Sequence, residues 1–432
     1  MKEYLKRLPR EIKELISSAG KVSKETGMPA YLVGGFLRDL LLGVKNFDLD
    51  IAVEGNGILF AGKLAKKLKS GIRVHERFGT ATLILKGRLK VDIATTRKER
   101  YPCCASLPVV SAGSLIEDLM RRDFTINAMA AGIARAGAGK LIDPFGGKAD
   151  LAQGRIRILH DLSFKDDPTR ILRAVRFQAR FGFQIERKTL SLLKEAISLG
   201  LLHKVSAHRM RDDLILMLKE DKPLKQIRAL DGLTGLSFLS PKLKPGKATY
   251  DLFKAVDKKV AWFAKSFPGR RHLDLWLIYF TALLKPLGLA EIKKISHRLA
   301  LASGEEKRII SYCRRGRKLI FRLSRKEISP AQIFSLLEPL SYETVILLAA
   351  TSQNKYCKKH IADFLEIYNG MRLYVSGHDL HGLGVLPGPV YQKIFSKVLA
   401  AKLNGRVATY QDELALIRRL IRCPGTSVLR KQ

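Results

Sequence analysis

Apolar residues at Ile12, Leu15 and Ile16 share the 3.6-residue period of a helix with one buried face, and this segment ends near Gly20. The period returns through Leu59, Ala61, Leu64, Ala65 and Leu68. Between the two, Tyr31 to Val33 is a short apolar run that predicts a strand. It is followed by the turn Gly34–Gly35, a short helix over Phe36–Leu42, a loop, and a second strand within FDLDIAV (47–53). Further strands are predicted at 72–74, 80–85 and 89–94, punctuated by Gly79 and Gly87. Periodicity then breaks over Arg97–Gly113, a long segment with two prolines that reads as a loop. Ser114-Leu-Ile-Glu117 is a capping box and starts a helix that carries Arg121, Arg122 and Asp123. A strand-and-turn segment over 141–159 closes this part, and from Phe164 the pattern is helical to the end. The pattern is therefore α+β, with a boundary near 150–160 between a part that mixes strands and helices and a part that is all-helical.

Composition narrows the partner. Lys and Arg number 78 against 40 Asp and Glu, a formal charge of +38 that points to a polyanion, either nucleic acid or an anionic membrane. The membrane is disfavoured. MKEYLKRLPREIKEL is charged throughout, and the most apolar stretch, Leu273–Leu284, is too short to span and is flanked by charge. The five cysteines include the neighbours Cys103 and Cys104 and show no zinc spacing, so reduced thiols and a cytoplasmic location are expected.

The candidate chemistry lies mostly in the first half. Gly34 and Gly35 let the backbone turn sharply and approach a ligand closely. Arg38, in the following helix, adds positive charge beside a helix start that can face phosphate. Asp48 and Asp50 stand two apart, a spacing that on a strand puts both carboxylates on one face. Such a pair repels itself unless a cation intervenes, and hard oxygen ligands suit Mg²⁺. Asp92 is a third carboxylate of the site if its strand lies beside theirs, and a structural strand acid otherwise. Arg121 and Arg122 beside Asp123 either grip a triphosphate, with the acid orienting them, or form a salt-bridged surface helix. Asp167 is a good N-cap and Pro168 a good first helical residue. Arg170, Arg173, Arg176 and Arg180 then share one helix face, with Ile171, Leu172, Val175 and Ala179 opposite. That stripe is either solvated, tracks an RNA backbone, or meets a nucleotide. Trp262 and Trp276 read as core residues, and His378-Asp379 and His272-x-Asp274 lack the partners of a metal site.

The order strand, GG-x-x-RD, helix, D-x-D resembles the signature of the DNA polymerase beta-like nucleotidyltransferase superfamily. Taken in order, LVGGFLRDLLLG with DLD, RFGTATL, RRDFTINAMA, IDPFGGKADL and DDPTRILRAVRFQARFGF resemble the class II tRNA nucleotidyltransferase and poly(A) polymerase family. VSAHRMRDDLILML is a looser match, and SGHDLHGLGVLPGPVYQKI resembles the tail of longer bacterial members. The resemblance implies an α+β fold: a mixed-sheet catalytic head over 1–155, then all-helical segments, a neck that selects the nucleotide and binds RNA over 156–225, and a tRNA-binding body and tail over 226–432. It implies that Asp48 and Asp50 hold the catalytic Mg²⁺. It further implies that Gly35, Arg38 and Arg122 contact the incoming phosphates, with Gly34 and Asp123 beside them. Asp167, Arg170, Arg173 and Arg176 fall on the nucleotide-selecting helix. The usual E-D-x-x-R stands here as Asp166-Asp167-x-x-Arg170, a departure that bears on the supporting role of Asp166.

Adenine and cytosine each present an amino donor beside a bare ring nitrogen, so a carboxylate and a guanidinium can read both. The implied activity is template-independent addition of CCA, from CTP and ATP, to the tRNA 3′ end, with no membrane and no obligate protein partner. Addition of the terminal A alone, poly(A) synthesis on general RNA, and a non-enzymatic RNA-binding role are the alternatives. Intact Asp48 and Asp50 argue against the last.

Overall fold

The computed structural model describes residues 1–45, 48–85, 89–134 and 139–422, so Phe47 and Gly87 lie outside the described residues. The chain divides into two compact units, Met1–Pro241 and Lys242–Gln432. Positions 155 and 225 both fall inside the first.

The first unit is built on a seven-stranded sheet in the order β3-β4-β5-β2-β1-β8-β9. Its strands are β1 (Ala30–Val33), β2 (Leu49–Val53), β3 (Gly71–His75), β4 (Thr80–Ile84) and β5 (Lys90–Thr95). A hairpin of β6 (Arg97–Arg100) and β7 (Val109–Ala112) stands apart, and β8 (Ala130–Gly132) and β9 (Leu141–Ile142) complete the sheet. β2 and β5 run parallel, and their neighbours are antiparallel. Residues alternate across each strand. Ile51, Val53, Val91 and Ile93 are buried on one face, against helices that include Gly57–Leu68, which leaves Asp50 and Asp92 on the other.

The first amphipathic helix spans Arg10–Thr26 and ends at left-handed Gly27, not near Gly20. Gly20 is instead a packing position, since a Cβ there would lie 2.9 Å from the Ile133 carbonyl oxygen. The segment expected to be an aperiodic loop is the β6–β7 hairpin. Every residue of β7 is exposed and β6 is RKER, whose inward side chains Arg97 and Glu99 are charged, which leaves no hydrophobic alternation to read. The helix capped by Ser114 and Glu117 stops at Met120, so Arg121, Arg122 and Asp123 follow it rather than ride on it. Asp48 likewise sits one residue before β2, exposed.

Beyond residue 160 the first unit is helical apart from Gln184–Ile185, which pairs with Arg155–Ile156. The helix Thr169–Phe181 buries Ile171, Leu172, Ala174 and Val175 and packs against Ala207–Leu218 and Pro223–Thr234.

In the second unit, nine of the ten residues of helix Leu275–Leu284 are buried, including Trp276, while Trp262 is half-buried. Among the described residues no single helix is long and apolar enough to cross a membrane. Asp274 pairs with Arg308 at 2.6 Å, and Asp379 accepts from the Ser376 amide and the Tyr410 hydroxyl, so both His/Asp segments do structural work.

Candidate active site

A cavity of about 980 Å³ opens on the polar face of the sheet in the first unit. Its walls are the Gly34–Gly35 turn, β2, β4, β5, the β6–β7 hairpin, the Arg121–Asp123 turn and the helix Thr169–Phe181. Gly34 adopts φ 70° and ψ −142°, a conformation natural only to glycine. A Cβ at this position would sit 2.8 Å from Nη1 of Arg122 and 3.2 Å from Oδ2 of Asp50. The turn thus places bare backbone between an arginine and a carboxylate.

Asp50 and Asp92 are register partners on β2 and β5. Burial pushes the Asp50 carboxyl up to about 6, Arg122 opposes the shift, and Asp92 and Asp48 add to it. The hydroxyl of Thr82 donates to Asp92 at 2.6 Å. Asp50 and Asp92 stand side by side on paired strands, and Asp48, one residue before β2, acts on the same Asp50 carboxyl. Among the described residues no three His, Cys, Asp or Glu side chains gather as a closed metal cage. Two carboxylates at an open face nevertheless fit Mg²⁺, which takes one or two protein oxygens and fills the rest of its shell with phosphate and water.

The arginines are built in, not solvated. Arg122 donates to Asp118 at 2.9 Å while its Nε is buried without a partner, and Nε of Arg176 is in the same state. Burial by itself would raise the Asp118 carboxyl, and Arg122 and Arg121 hold it below its ordinary value. Arg38 is buried, donates to Asp39 at 2.8 Å and to Asn127 at 2.7 Å, and lies 5.0 Å from the centroids of both Phe177 and Phe181. Asp123 is buried and accepts from the Phe124 amide, from Asn127 and from Arg173, each at 2.8 Å. Burial opposes ionisation there, yet Arg173 and Asn127 bring the Asp123 carboxyl down to about 2. Its partners are protein groups, so Asp123 aims Arg173.

Along the helix Thr169–Phe181, Arg170 donates to Ser163 Oγ at 2.6 Å and to the Arg121 carbonyl at 2.7 Å. Arg176 and Arg180 share Glu220 at 3.5 and 3.7 Å, and Arg180 also meets Asp39 at 3.8 Å. All four arginines of the stripe line the cavity. The Asp167 carboxylate accepts from the amide and hydroxyl of Thr169 at the helix start, and the N-cap itself is Pro168, one residue later than its sequence position implies. Asp166 lies 3.9 Å from His160, and burial raises its carboxyl.

Two further parts of the site are marked in the sequence only coarsely, by the looser match at 205–218 and by the long segment 97–113. Arg209 reaches in from the helix Ala207–Leu218, one arginine among many on a basic chain. The hairpin brings Tyr101, Leu107 and Pro108 to the cavity, with its tip docked where the Ala105 amide donates to the Lys165 carbonyl at 2.9 Å. In all, ten arginines face six carboxylates around the cavity, an excess suited to a bound triphosphate.

The family described as "Poly A polymerase head domain" matches residues 30–157, and "Probable RNA and SrmB- binding site of polymerase A" matches 182–246. The A-adding tRNA nucleotidyltransferase of Halalkalibacterium halodurans is 31% identical over 418 residues, covering 94% of this chain and 92% of that protein. The chain belongs to the tRNA nucleotidyltransferase family. A second relative, the A-adding tRNA nucleotidyltransferase of Geobacter sulfurreducens, is 37% identical over 96% of this chain, but the chain spans only 47% of that protein's length. The solved Thermotoga maritima CCA-adding enzyme in complex with tRNA aligns over 98% of both chains, at 33% identity and a TM-score of 0.71. Nucleotidyltransferases of this family generally use a divalent metal. The cavity draws on both matched segments and on residues between them, including Asp167 and Arg170.

Proposed function

We propose that this chain extends tRNA 3′ ends without a nucleic-acid template, using CTP and ATP to build CCA and releasing pyrophosphate. The observation that carries this reading is one cavity whose floor is the Gly34 backbone between Asp50 and Arg122, and whose wall holds Asp167 and Arg170. Asp50 and Asp92, with Asp48 at the entrance, would hold Mg²⁺, which when bound would supply Lewis-acid charge for attack of the RNA 3′-hydroxyl on the α-phosphate and for departure of pyrophosphate.

The protein's own groups do the rest. Arg122 and Arg176, each with an unpartnered Nε, meet phosphate oxygens, and Arg173 is aimed at them by Asp123. Gly34 and Gly35 leave room for those oxygens at the backbone. Asp167 accepts from the exocyclic amino group of adenine or cytosine, and Arg170 donates to the adjoining ring nitrogen. Guanine and uracil put an oxygen against the carboxylate and are rejected. The basic second unit holds the body of the tRNA. The reduced cytoplasm suits the exposed thiols of Cys103 and Cys104.

Addition of the terminal A alone is the second reading, favoured by the A-adding relatives and by the hairpin that lines the cavity. Primer extension tests both. On tRNA ending at the discriminator base, CCA addition predicts two C residues and then A. If that primer is never extended while tRNA ending in CC takes one A, the second reading stands. If neither primer is extended, the proposed function is wrong.

A further inference from the structure

Oδ1 of Asp167 carries three donors: the Thr169 amide at 3.0 Å, the Thr169 hydroxyl at 2.7 Å and Nη2 of Arg209 at 2.5 Å. None of the three is on Oδ2. Thr169 belongs to the same turn as Asp167, whereas Arg209 comes from a separate helix, Ala207–Leu218, packed along Thr169–Phe181. That second helix is anchored by Asp213, which is buried facing Arg173 and Arg176. Arg209 itself lines the cavity with about a quarter of its side chain exposed, 24%.

Accepting capacity by itself does not discriminate bases. A carboxylate that slides by one atom takes a hydrogen bond from the ring N–H of uracil or guanine as readily as from an amino group. Rejection of those bases requires the carboxylate to stay where only an exocyclic amino group reaches it. Arg170 is already fixed by Ser163 and the Arg121 carbonyl. Asp167 needs an equivalent anchor from outside its own turn.

We infer that Arg209 is that anchor, a positioning residue that pins Oδ1 of Asp167 and presents Oδ2 as the acceptor that reads the base. The inference rests on the proposed choice of A and C by Asp167 and Arg170. It separates selectivity from catalysis, because Arg209 pairs with the selecting carboxylate and not with Asp50 or Asp92.

The test compares wild type with Arg209→Met and Arg209→Lys. The kcat/KM ratio of ATP over GTP is measured for one addition to tRNA ending in CC, alongside equilibrium binding of ATP and GTP by calorimetry. With Met, the ATP-over-GTP ratio is expected to fall ~10-fold, the scale of one misplaced hydrogen bond. Lys, a point charge without the planar fork, is expected to restore part of the ratio. A merely structural role lowers stability and use of both nucleotides together, and an unchanged ratio overturns the inference. Should the Met variant not fold, the Lys variant decides, again by its ratio. If wild type transfers nothing to tRNA, the proposed function fails and the binding arm decides. A wild-type preference for ATP that Arg209→Met loses supports the anchor, and a preference absent or retained overturns it.

Discussion

Asp50 on β2 and Asp92 on β5 are register partners across a parallel strand pair, so their carboxylates leave the same face of the sheet side by side. Parallel pairing comes from a crossover, here through the helix Gly57–Leu68 and the β3–β4 hairpin, which brings together acids 42 positions apart. The opposite strand faces, Ile51, Val53, Val91 and Ile93, are buried and hold this register, because a slip by one residue would turn them to solvent.

Gly34→Ala should weaken nucleotide binding about 10-fold or more. A Cβ at φ 70° costs roughly 1–2 kcal/mol of backbone strain, and it meets Arg122 and Asp50. Calorimetric titration with ATP checks this. Wild-type affinity in the variant would show that the ligand does not approach this turn.

Asp123→Asn should cost about 3 kcal/mol, the scale for breaking a buried ion pair. The Asp123 carboxyl, at about 2 in the fold, lies below its ordinary range near 4. Its stabilisation is therefore complete above pH ~4 and lost as pH falls through about 2. Urea unfolding of wild type and variant should differ most at neutral pH and converge towards pH 2. A gap that persists at the acid end would place the effect elsewhere than in the charge pair.

Replacing the hairpin tip, residues 101–108, by a short glycine turn should reduce use of ATP more than use of CTP. It removes Tyr101, Leu107 and Pro108 from the wall of a cavity that must enclose the larger purine. The ATP-to-CTP ratio of kcat/KM on matched primers is the readout, and equal losses would rule out a role in base size.

A chain cut after Pro241 keeps the whole cavity, because the helix Pro223–Thr234 packs on Thr169–Phe181 within the first unit. It should bind ATP as the full chain does but lose tRNA affinity, and the slope of log affinity against log salt should flatten. Matching tRNA affinities would remove the second unit from RNA binding.

Local patterns were the readable part. The strand, double-glycine turn and helix follow from a dozen neighbouring residues, and the structure has β1, the Gly34 turn and the helix Gly35–Leu41 in that order. What escaped depends on distant partners. Asp123 and Arg173 are 50 positions apart, and Arg209 meets Asp167 from a helix whose looser family match does not single it out. The charged β6 strand offers no hydrophobic period because the side chains it turns inward, Arg97 and Glu99, are charged and pair with each other and with Arg121. A basic helix face looks solvated until the acids that meet it, Glu220 and Asp39, come in from elsewhere in the chain.

Nucleotidyl transfer by the acids beside Gly34 is read out by labelled ATP incorporation into tRNA ending in CC, followed in a single turnover for wild type and Asp50→Asn with tRNA affinity measured in parallel. Wild type should transfer, and the variant should lose ~10³-fold or more, about 4 kcal/mol of transition-state stabilisation, with tRNA affinity unchanged. An Asp50→Asn protein that adds A at a near-normal rate would contradict that role of the acids.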